Sequence, residues 1–406
     1  MNTLIDWLNA SAREREAGVE ACLTRIRELE PSLDAWVKVA PQPATGRGVL
    51  DGIPFGAKDI FETRGLPTEY GSSIYRGRIG TEDAAIVRRL RDLGAILLGK
   101  TRTTAFAYYT PGPTRNPRNI EHTPGGSSSG SAAAVAAGMV PLALGSQTKG
   151  SVLRPASFCG VTGFKPTYGL VSTEGVLPLA RSFDTVGFFT HTAADMTALW
   201  EALGYDAASD DDAPLGVPAA VPDAEAPMKT AFDDTIERLR TQGATIRTID
   251  IAETLTELND AADTVMAYEA AEFHKERYDK YGSALAHLAD LVRQGREVSP
   301  ELYDDAKTFI ESAREEFSEL FRTTPIILTP AATGAAPRGL SSTGNPRMNA
   351  PWTALGVPAI AIPMPVEGLP LGLQLTADRG QDAQLLRAAV RIERMLGASR
   401  GPALRT

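Results

Sequence analysis

Two serines and one lysine are the residues of this chain whose types and surroundings suggest chemistry. Ser127 stands in the glycine- and serine-rich run 125–131, and Ser151 follows a glycine in a second turn 24 residues further along. Lys58 directly follows the apolar stretch 53–57. A serine hydroxyl becomes a nucleophile when a base takes its proton, and a buried lysine with a lowered pKa can be that base. The three residues therefore suggest acyl transfer with an amine as the base.

A competing interpretation makes Ser128 the nucleophile. Residues 126–130 match the Gly-x-Ser-x-Gly pattern of the α/β-hydrolase nucleophile elbow, which would indicate an esterase. An elbow follows a strand directly, whereas 118–124 has the composition of a loop. The elbow also needs a late histidine, and both His274 and His287 stand in helical, charged surroundings. Ser128 is therefore the weaker candidate.

Composition restricts the class of partner. The chain has 406 residues, 43% of them hydrophobic, and a formal net charge of -9, which argues against a nucleic-acid or anionic-membrane partner. Two distant cysteines and four histidines without metal-ligand spacing predict neither a disulfide framework nor a metal site. No run reaches the roughly 18 apolar residues of a membrane span, and the N-terminus lacks the features of a secretory signal. We expect a cytoplasmic protein with a small-molecule substrate.

Helical and strand patterns alternate along the chain, which favours an α/β layered fold. No linker or low-complexity tract separates folding units, so one domain is predicted. The Asp-, Ala- and Pro-rich stretch 205–226 is predicted to be a surface loop. The clearest patterns are a helix over 83–93, a strand over 95–98, a helix over 131–139, strands over 326–328 and 359–362, and a helix over 381–396.

Taken together, these motifs resemble the amidase signature family, and the resemblance covers nearly the whole chain. Residues 103–107 and the short length are most similar to the small bacterial malonamidase-type amidases. The motifs follow the family's order: the lysine motif 52–59, the glycine/serine core 124–138, its continuation over 145–167, and the closing signatures 356–359 and 368–374.

The resemblance implies a single domain over 1–406, with a central mixed, twisted β-sheet covered by helices on both faces. It implies a catalytic core over 58–166 and a variable, substrate-shaping region over about 195–345. It also implies that no metal or organic cofactor takes part, and it makes a homodimer plausible.

The resemblance further implies a Ser–Ser–Lys triad. Ser151 falls on the nucleophile, Ser127 on a bridging serine held by a cis peptide bond, and Lys58 on the base. Ser127 would relay a proton between the other two residues. The backbone N–H groups of the turn Thr148-Lys149-Gly150-Ser151 would bind the oxyanion.

This chain departs from the family pattern at Lys149, where the family has glycine. A positive φ there would cost on the order of 1–3 kcal/mol of strain. A negative φ would free the side chain for an anionic or polar substrate group, or for lowering the pKa of Lys58 as a like charge. The remaining alternative is a side chain that points to solvent.

Three further residues have expected roles around this centre. Arg154 either clamps a substrate carboxylate, as the matching arginine does in malonamidase-like members, or forms a buried structural ion pair. Gln147 is expected to hydrogen-bond the glycine-rich loop. Asp184 resembles a family carboxylate that holds loops near the site.

The sequence thus predicts a serine amidohydrolase that cleaves the C–N bond of a small carboxylic amide through an acyl-enzyme on Ser151. Carbamates, urethanes and ureas are accessible to the same chemistry. The departure at Lys149 keeps one alternative open, a non-catalytic or partner-dependent protein of the amidotransferase-subunit type.

Overall fold

Eleven strands within residues 1–206 and 212–397, the parts of the chain that this computed structural model describes, pair into one mixed sheet. In sheet order the strands run β1-β3-β2-β4-β6-β5-β10-β11-β9-β7-β8. Their bounds are β1 Trp36–Gln42, β2 Pro54–Lys58, β3 Ile96–Thr101, β4 Leu142–Gln147, β5 Thr162–Lys165, β6 Thr185–Thr190, β7 Leu215–Pro218, β8 Ile246–Ile249, β9 Ile326–Pro330, β10 Ala359–Pro363 and β11 Gly372–Thr376.

Thirteen α-helices in the same described ranges connect and cover the strands, on both faces of the sheet as predicted. None of these helices is both long enough and apolar enough to cross a membrane. Their bounds are α1 Leu4–Asn9, α2 Ala12–Leu33, α3 Ala85–Asp92, α4 Ser129–Ala136, α5 Leu153–Cys159, α6 Ala193–Ala202, α7 Ala226–Thr241, α8 Ala252–Phe273, α9 Lys275–Tyr281, α10 His287–Glu297, α11 Pro300–Thr323, α12 Ala350–Ala354 and α13 Asp382–Leu396.

A parallel block of three strands brings two chain segments to one edge. β2 pairs in parallel with both β3 and β4, and Ala57 stands opposite Leu144. Every residue of β2 and β4 is buried, which explains why these strands are apolar along most of their length. Because parallel strands end at the same edge, the lysine that ends β2 lies beside the polar residues 146–147 that end β4.

The glycine/serine run crosses this edge and continues into α4, which packs on β2 and β4. Gly130 in the first turn of α4 allows the close approach, since a Cβ there would lie 2.1 Å from the carbonyl oxygen of Ala35. The Ser131 hydroxyl lies 2.7 Å from the Leu144 carbonyl oxygen of β4 and 2.7 Å from the Thr101 hydroxyl of β3, so it connects α4 to these two strands. The loop before α4 is thereby held over the strand ends.

The predicted loop over 205–226 is wrong in its second half. β7 lies at Leu215–Pro218 and pairs in parallel with β8 and β9. Four residues that follow one proline and end in another carry too short a pattern to be distinguished from a loop, and only the pairing partners make them a strand. Residues 207–211 of the predicted loop lie outside the described residues.

Candidate active site

Lys58 is a fully buried amine held between two serine hydroxyls. Its Nζ lies 2.8 Å from Ser127 Oγ and 2.8 Å from Ser146 Oγ, and 3.5 Å from the carbonyl oxygen of Ser146. The neighbouring Asp59 does not pair with it; that carboxylate lies 3.5 Å from Lys100. Lys58 therefore lacks a carboxylate within salt-bridge distance in the described part of the chain, and its partners are hydroxyls.

Burial is the main influence on the protonation of this amine. It lowers the pKa of Lys58 from 10.5 to about 7, because the charged form loses its hydration, while the charge of Asp184 acts in the opposite direction. Burial likewise raises the pKa of Asp184 to about 6. A substantial fraction of Lys58 is therefore neutral near pH 7 and able to accept a proton.

Ser127 stands in a loop whose backbone is held from two sides. The peptide bond between Gly126 and Ser127 is cis, and Gly125 has a φ of 83°, a conformation that favours glycine. The Ser129 hydroxyl donates to the carbonyl of Gly125 at 2.7 Å, and Arg154 Nη2 donates to that of Gly126 at 2.7 Å. These contacts fix the position of the Ser127 hydroxyl next to Lys58.

Ser151 lies in a turn with unused backbone donors. Within the described residues, the backbone N–H groups of Lys149, Gly150 and Ser151 find no acceptor, so they are available to an oxyanion. Gly150 fits because a Cβ there would lie 2.4 Å from Asn349 Oδ1. The turn therefore combines a hydroxyl with free amide donors, the combination that acyl transfer requires.

Ser127 and Ser151 line one cavity, although their hydroxyls are not hydrogen-bonded to each other among the described residues. Catalytic hydrogen bonds are often long without substrate and shorten in the complex. The cavity encloses about 330 Å³ of space not filled by atoms, part of it open to solvent. Its lining residues are Ala107, Tyr108, Tyr109, Ser127, Thr148, Lys149, Gly150, Ser151, Arg154, Leu179, Met266, Thr343 and Pro346.

Lys149 has no positive φ, so this turn accommodates a lysine without left-handed strain. Its ammonium forms an ion pair with Asp263 of α8. The Lys149 side chain is 9% exposed and that of Asp263 is 52% exposed, so the pair joins the cavity wall to the surface. The side chain does not point to solvent, and its charge is balanced by Asp263.

Arg154 is buried but does not form the structural ion pair that was the alternative for it. Its Nε donates to the carbonyl of Thr343 at 2.7 Å, and no carboxylate in the described ranges lies within salt-bridge distance. Its Nη1 is buried without a partner. Burial lowers the pKa of Arg154 to about 10, which leaves it charged at neutral pH. An unpaired guanidinium in the cavity wall is suited to bind an anionic group.

Gln147 and Asp184 support the turn of Ser151 rather than contact the cavity. Gln147 was predicted to bond the glycine-rich loop, and this is wrong. Its Oε1 accepts from the backbone N–H groups of Val152 and Leu153, at 2.9 and 3.1 Å, because the end of β4 directs the side chain at the segment after Ser151. Asp184 accepts from the Thr148 hydroxyl at 2.6 Å and from two backbone N–H groups in the segment before it. Both side chains hold loops, as expected of Asp184.

Ser128 is poorly placed to be a nucleophile. It is fully buried, and its hydroxyl lies 3.2 Å from the carbonyl oxygen and 3.3 Å from the backbone nitrogen of Ser146. The late histidines have other contacts: His274 Nδ1 is bonded to Arg277, and His287 Nδ1 lies 2.9 Å from the Thr110 hydroxyl. The geometry does not support an esterase elbow.

The sequence gives no indication of two residues of this site, Ser146 and Asp263. Ser146 is the second hydroxyl on Lys58, and only the register of β2 against β4 identifies it. Asp263 lies 114 residues beyond its partner Lys149, on a helix whose pattern indicates only burial on one side. Across the described residues, no cluster of three or more histidine, cysteine, aspartate or glutamate side chains could hold a metal ion.

Comparison with known proteins places the chain in a family. The family model described as Amidase matches residues 17–386. A glutamyl-tRNA(Gln) amidotransferase subunit of Anaeromyxobacter sp. (strain K) is 31% identical, over 95% of this chain and 93% of that protein.

Two solved structures agree with this assignment. A crystal structure of an amidase has a TM-score of 0.87 at 29% identity and covers 97% of this chain and 100% of that one. The corresponding glutamyl-tRNA(Gln) amidotransferase subunit of Thermotoga maritima has a TM-score of 0.83 at 29% identity, covering 96% and 94%. This chain is therefore a member of the amidase signature family, an enzyme that hydrolyses carbon–nitrogen bonds.

Proposed function

We propose that the protein is a serine amidohydrolase that cleaves the C–N bond of a small carboxylic amide through an acyl-enzyme on Ser151. The observation that carries the proposal is the buried Lys58 amine, which has a pKa of about 7 and lies 2.8 Å from Ser127, beside the cavity that Ser127 shares with Ser151. A neutral amine can accept a proton through this hydroxyl, which activates the second serine.

The reaction follows from this arrangement in two halves. Ser151 Oγ attacks the carbonyl carbon while its proton passes to Ser127, whose own proton passes to Lys58. The free N–H groups of the turn bind the oxyanion. When the C–N bond breaks, the proton returns through Ser127 to the leaving nitrogen, which departs as an amine or ammonia. A water molecule then attacks the acyl-enzyme by the same proton path, which releases the acid and restores Ser151.

The cavity favours a small acyl group with a negative charge. Arg154 is buried in its wall with an unpaired Nη1, and binding a carboxylate there would add charge-assisted hydrogen bonds. Monoamides of dicarboxylic acids fit this description best. Carbamates, urethanes and ureas contain the same electrophilic carbonyl and remain within the proposed chemistry.

The test combines a covalent probe with a substrate panel. A fluorophosphonate should label Ser151, as identified by peptide mapping, and Ser151→Ala should lose both labelling and amine release. Labelling of Ser128 instead would contradict the assignment. The panel compares acidic monoamides, neutral amides and carbamates by the amine they release, and the proposal expects acidic monoamides to have the largest kcat/KM.

A partner-dependent amidotransferase component is the second candidate, and the names of the similar amidotransferase subunits favour it. The relevant measurement is amine release by the isolated chain, together with its mass in solution. An inactive chain that gains activity only with a co-purifying protein would support this candidate, and an active monomer or homodimer would exclude it.

We also expect the protein to act in the reducing cytoplasm. Its two cysteines, Cys22 and Cys159, are buried free thiols, as is usual in a reducing compartment.

A further inference from the structure

A second cleft lies next to α8, separate from the active-site cavity. α8 contributes Val265 to this cleft and Met266 to the cavity, and the two have no lining residue in common. The cleft encloses about 510 Å³ of space not filled by atoms, part of it open to solvent. Phe183 and Tyr168 form part of its wall, and α11 forms another part.

Three cations converge on this cleft. Lys307 and Arg314 are seven residues apart on α11, which places them two turns apart on one face of the helix. Arg379 approaches from the loop between β11 and α13 and packs over Gly356, where a Cβ would lie 3.6 Å from its Nε. Glu311 is the one acidic residue among the described lining residues. The lining therefore carries a surplus of positive charge, in a chain whose formal net charge is -9.

None of the three cations has a carboxylate within 4.0 Å in the described part of the chain. Arg314 Nη2 donates to the carbonyl of Ala354 at 2.8 Å, and its Nε is buried without a partner. Lys307 Nζ lies 5.3 Å from the centre of the Tyr303 ring. Burial lowers the pKa of Arg314, and the charge of Arg379 lowers it further.

Two of the nearby carboxylates, those of Glu269 and Asp378, accept hydrogen bonds from other donors. Glu269 of α8 accepts from the backbone N–H of Ser182 at 2.9 Å, from the Ser182 hydroxyl, and from the Tyr303 hydroxyl at 2.9 Å. Asp378 accepts from the Ser318 hydroxyl and from the backbone N–H of Arg379, both at 2.8 Å. These acids have their own hydrogen bonds and leave the guanidinium groups of the cleft unpaired.

We propose that this cleft is a binding site for a small organic anion that presents at least two oxygens, either a phosphate or a carboxylate group. Two guanidinium groups and an ammonium match such an oxyanion in charge, and guanidinium groups bind carboxylates and phosphates by paired hydrogen bonds. The half-buried position of Arg314 limits screening by salt, so the site should retain affinity at physiological ionic strength.

The experiment titrates the full chain with inorganic phosphate and, separately, with citrate by isothermal titration calorimetry, with sodium chloride matching the ionic strength. Saturable binding of either anion is expected at anion concentrations of up to about 10 mM. Arg314→Gln and Arg379→Gln should each weaken it about tenfold or more, the effect of losing one charge-assisted hydrogen bond. The exposed Arg379 provides a variant that does not depend on the packing of α11.

Matched control variants distinguish binding at a specific site from a general effect of the protein's charge. Arg322→Gln removes an exposed guanidinium from the same helix and should leave the affinity unchanged. Glu311→Gln should tighten binding, whereas Glu316→Gln, with the same change in net charge at an exposed position of α11, should not. No saturable heat with either anion would overturn the proposal, and so would equal losses in Arg314→Gln and Arg322→Gln.

Discussion

Replacing Lys58 with methionine should abolish activity and stabilise the fold at neutral pH. The buried amine has a pKa of about 7 in the folded chain against 10.5 ordinarily. Folding at pH 7.5 must therefore remove most of a proton that the unfolded chain keeps, at a cost of about 4 kcal/mol. Methionine has a similar length and no charge, so the variant avoids this cost.

The lost hydrogen bonds partly offset this gain. Lys58 contacts the hydroxyls of Ser127 and Ser146, and losing two such bonds costs about 2 kcal/mol. The variant should thus be more stable than the natural protein by about 2 kcal/mol at pH 7.5. This sign is opposite to that of most core substitutions, which destabilise.

The difference in stability between Lys58→Met and the natural protein must also depend on pH in a defined direction. Between the folded pKa of about 7 and the unfolded 10.5, the unfolded chain binds more protons at Lys58, so the stability of the natural protein rises with pH. The cost avoided by the variant falls to about 1 kcal/mol at pH 9.5. The advantage of Lys58→Met should therefore disappear near pH 9.

Urea unfolding followed by tryptophan fluorescence at pH 7.5, 8.5 and 9.5 measures this difference. Lys38→Met is the matched control, because Lys38 is exposed on β1 and its replacement should give no such pH dependence. Other buried titrating groups are present in all three proteins and largely cancel. A Lys58→Met variant that is less stable by a constant amount at every pH would refute the argument that this amine is buried neutral.

Three further predictions concern the neighbours of the triad. The kcat/KM for amide hydrolysis should rise with pH through a midpoint near 7 as Lys58 loses its proton. Asp184→Asn should move that midpoint to lower pH, because the Asp184 charge raises the Lys58 pKa. An unmoved midpoint in the pH–rate profile would assign the midpoint to another group. Asp263→Asn should destabilise the fold by about 1–2 kcal/mol, which is less than for a fully buried ion pair because Asp263 is half exposed. Adding Lys149→Met should recover most of this loss, as measured by urea unfolding in a double-mutant cycle. Arg154→Met should lower kcat/KM for acidic monoamides about 100-fold more than for neutral amides, and an equal loss on both substrates would make Arg154 only a support of the Gly126 loop.

Local pattern was sufficient to predict some elements next to the candidate site, but not β2, which ends at Lys58, or β4, which precedes the turn of Ser151. The predicted strand over 95–98 lies in β3, and the predicted alanine-rich helix overlaps α4, because these segments are buried along almost their whole length and their composition of small and apolar residues reflects that burial. The strand β7 escaped prediction because its stability depends on parallel partners that lie up to 111 residues away in the chain, where Leu215 pairs with Ile326. A pairing with so distant a partner cannot be recognised from the composition of a four-residue segment.

The candidate site was predictable to the same extent. Lys58, Ser127 and Ser151 stand in segments whose composition is unusual, whereas Ser146 is an ordinary serine at the end of an apolar strand. Lys149 was visible as a departure from the family pattern, but its partner Asp263 was not, because the packing of α8 alone brings the two together. The sequence therefore predicted the groups that we propose to react, and it gave no indication of Ser146 and Asp263, which contact Lys58 and Lys149.

Ser146 explains how a neutral lysine keeps its lone pair directed at Ser127. A neutral amine has two N–H groups and one lone pair. The carbonyl oxygen of Ser146, 3.5 Å from Nζ, can only accept a hydrogen bond, and the Ser146 hydroxyl at 2.8 Å can accept the second N–H. When the neutral amine directs both N–H groups at Ser146, its lone pair is available to the hydroxyl of Ser127 at 2.8 Å. The strand end that supplies Ser146 thus orients the base, and the parallel pairing of β2 with β4 makes that orientation a property of the fold.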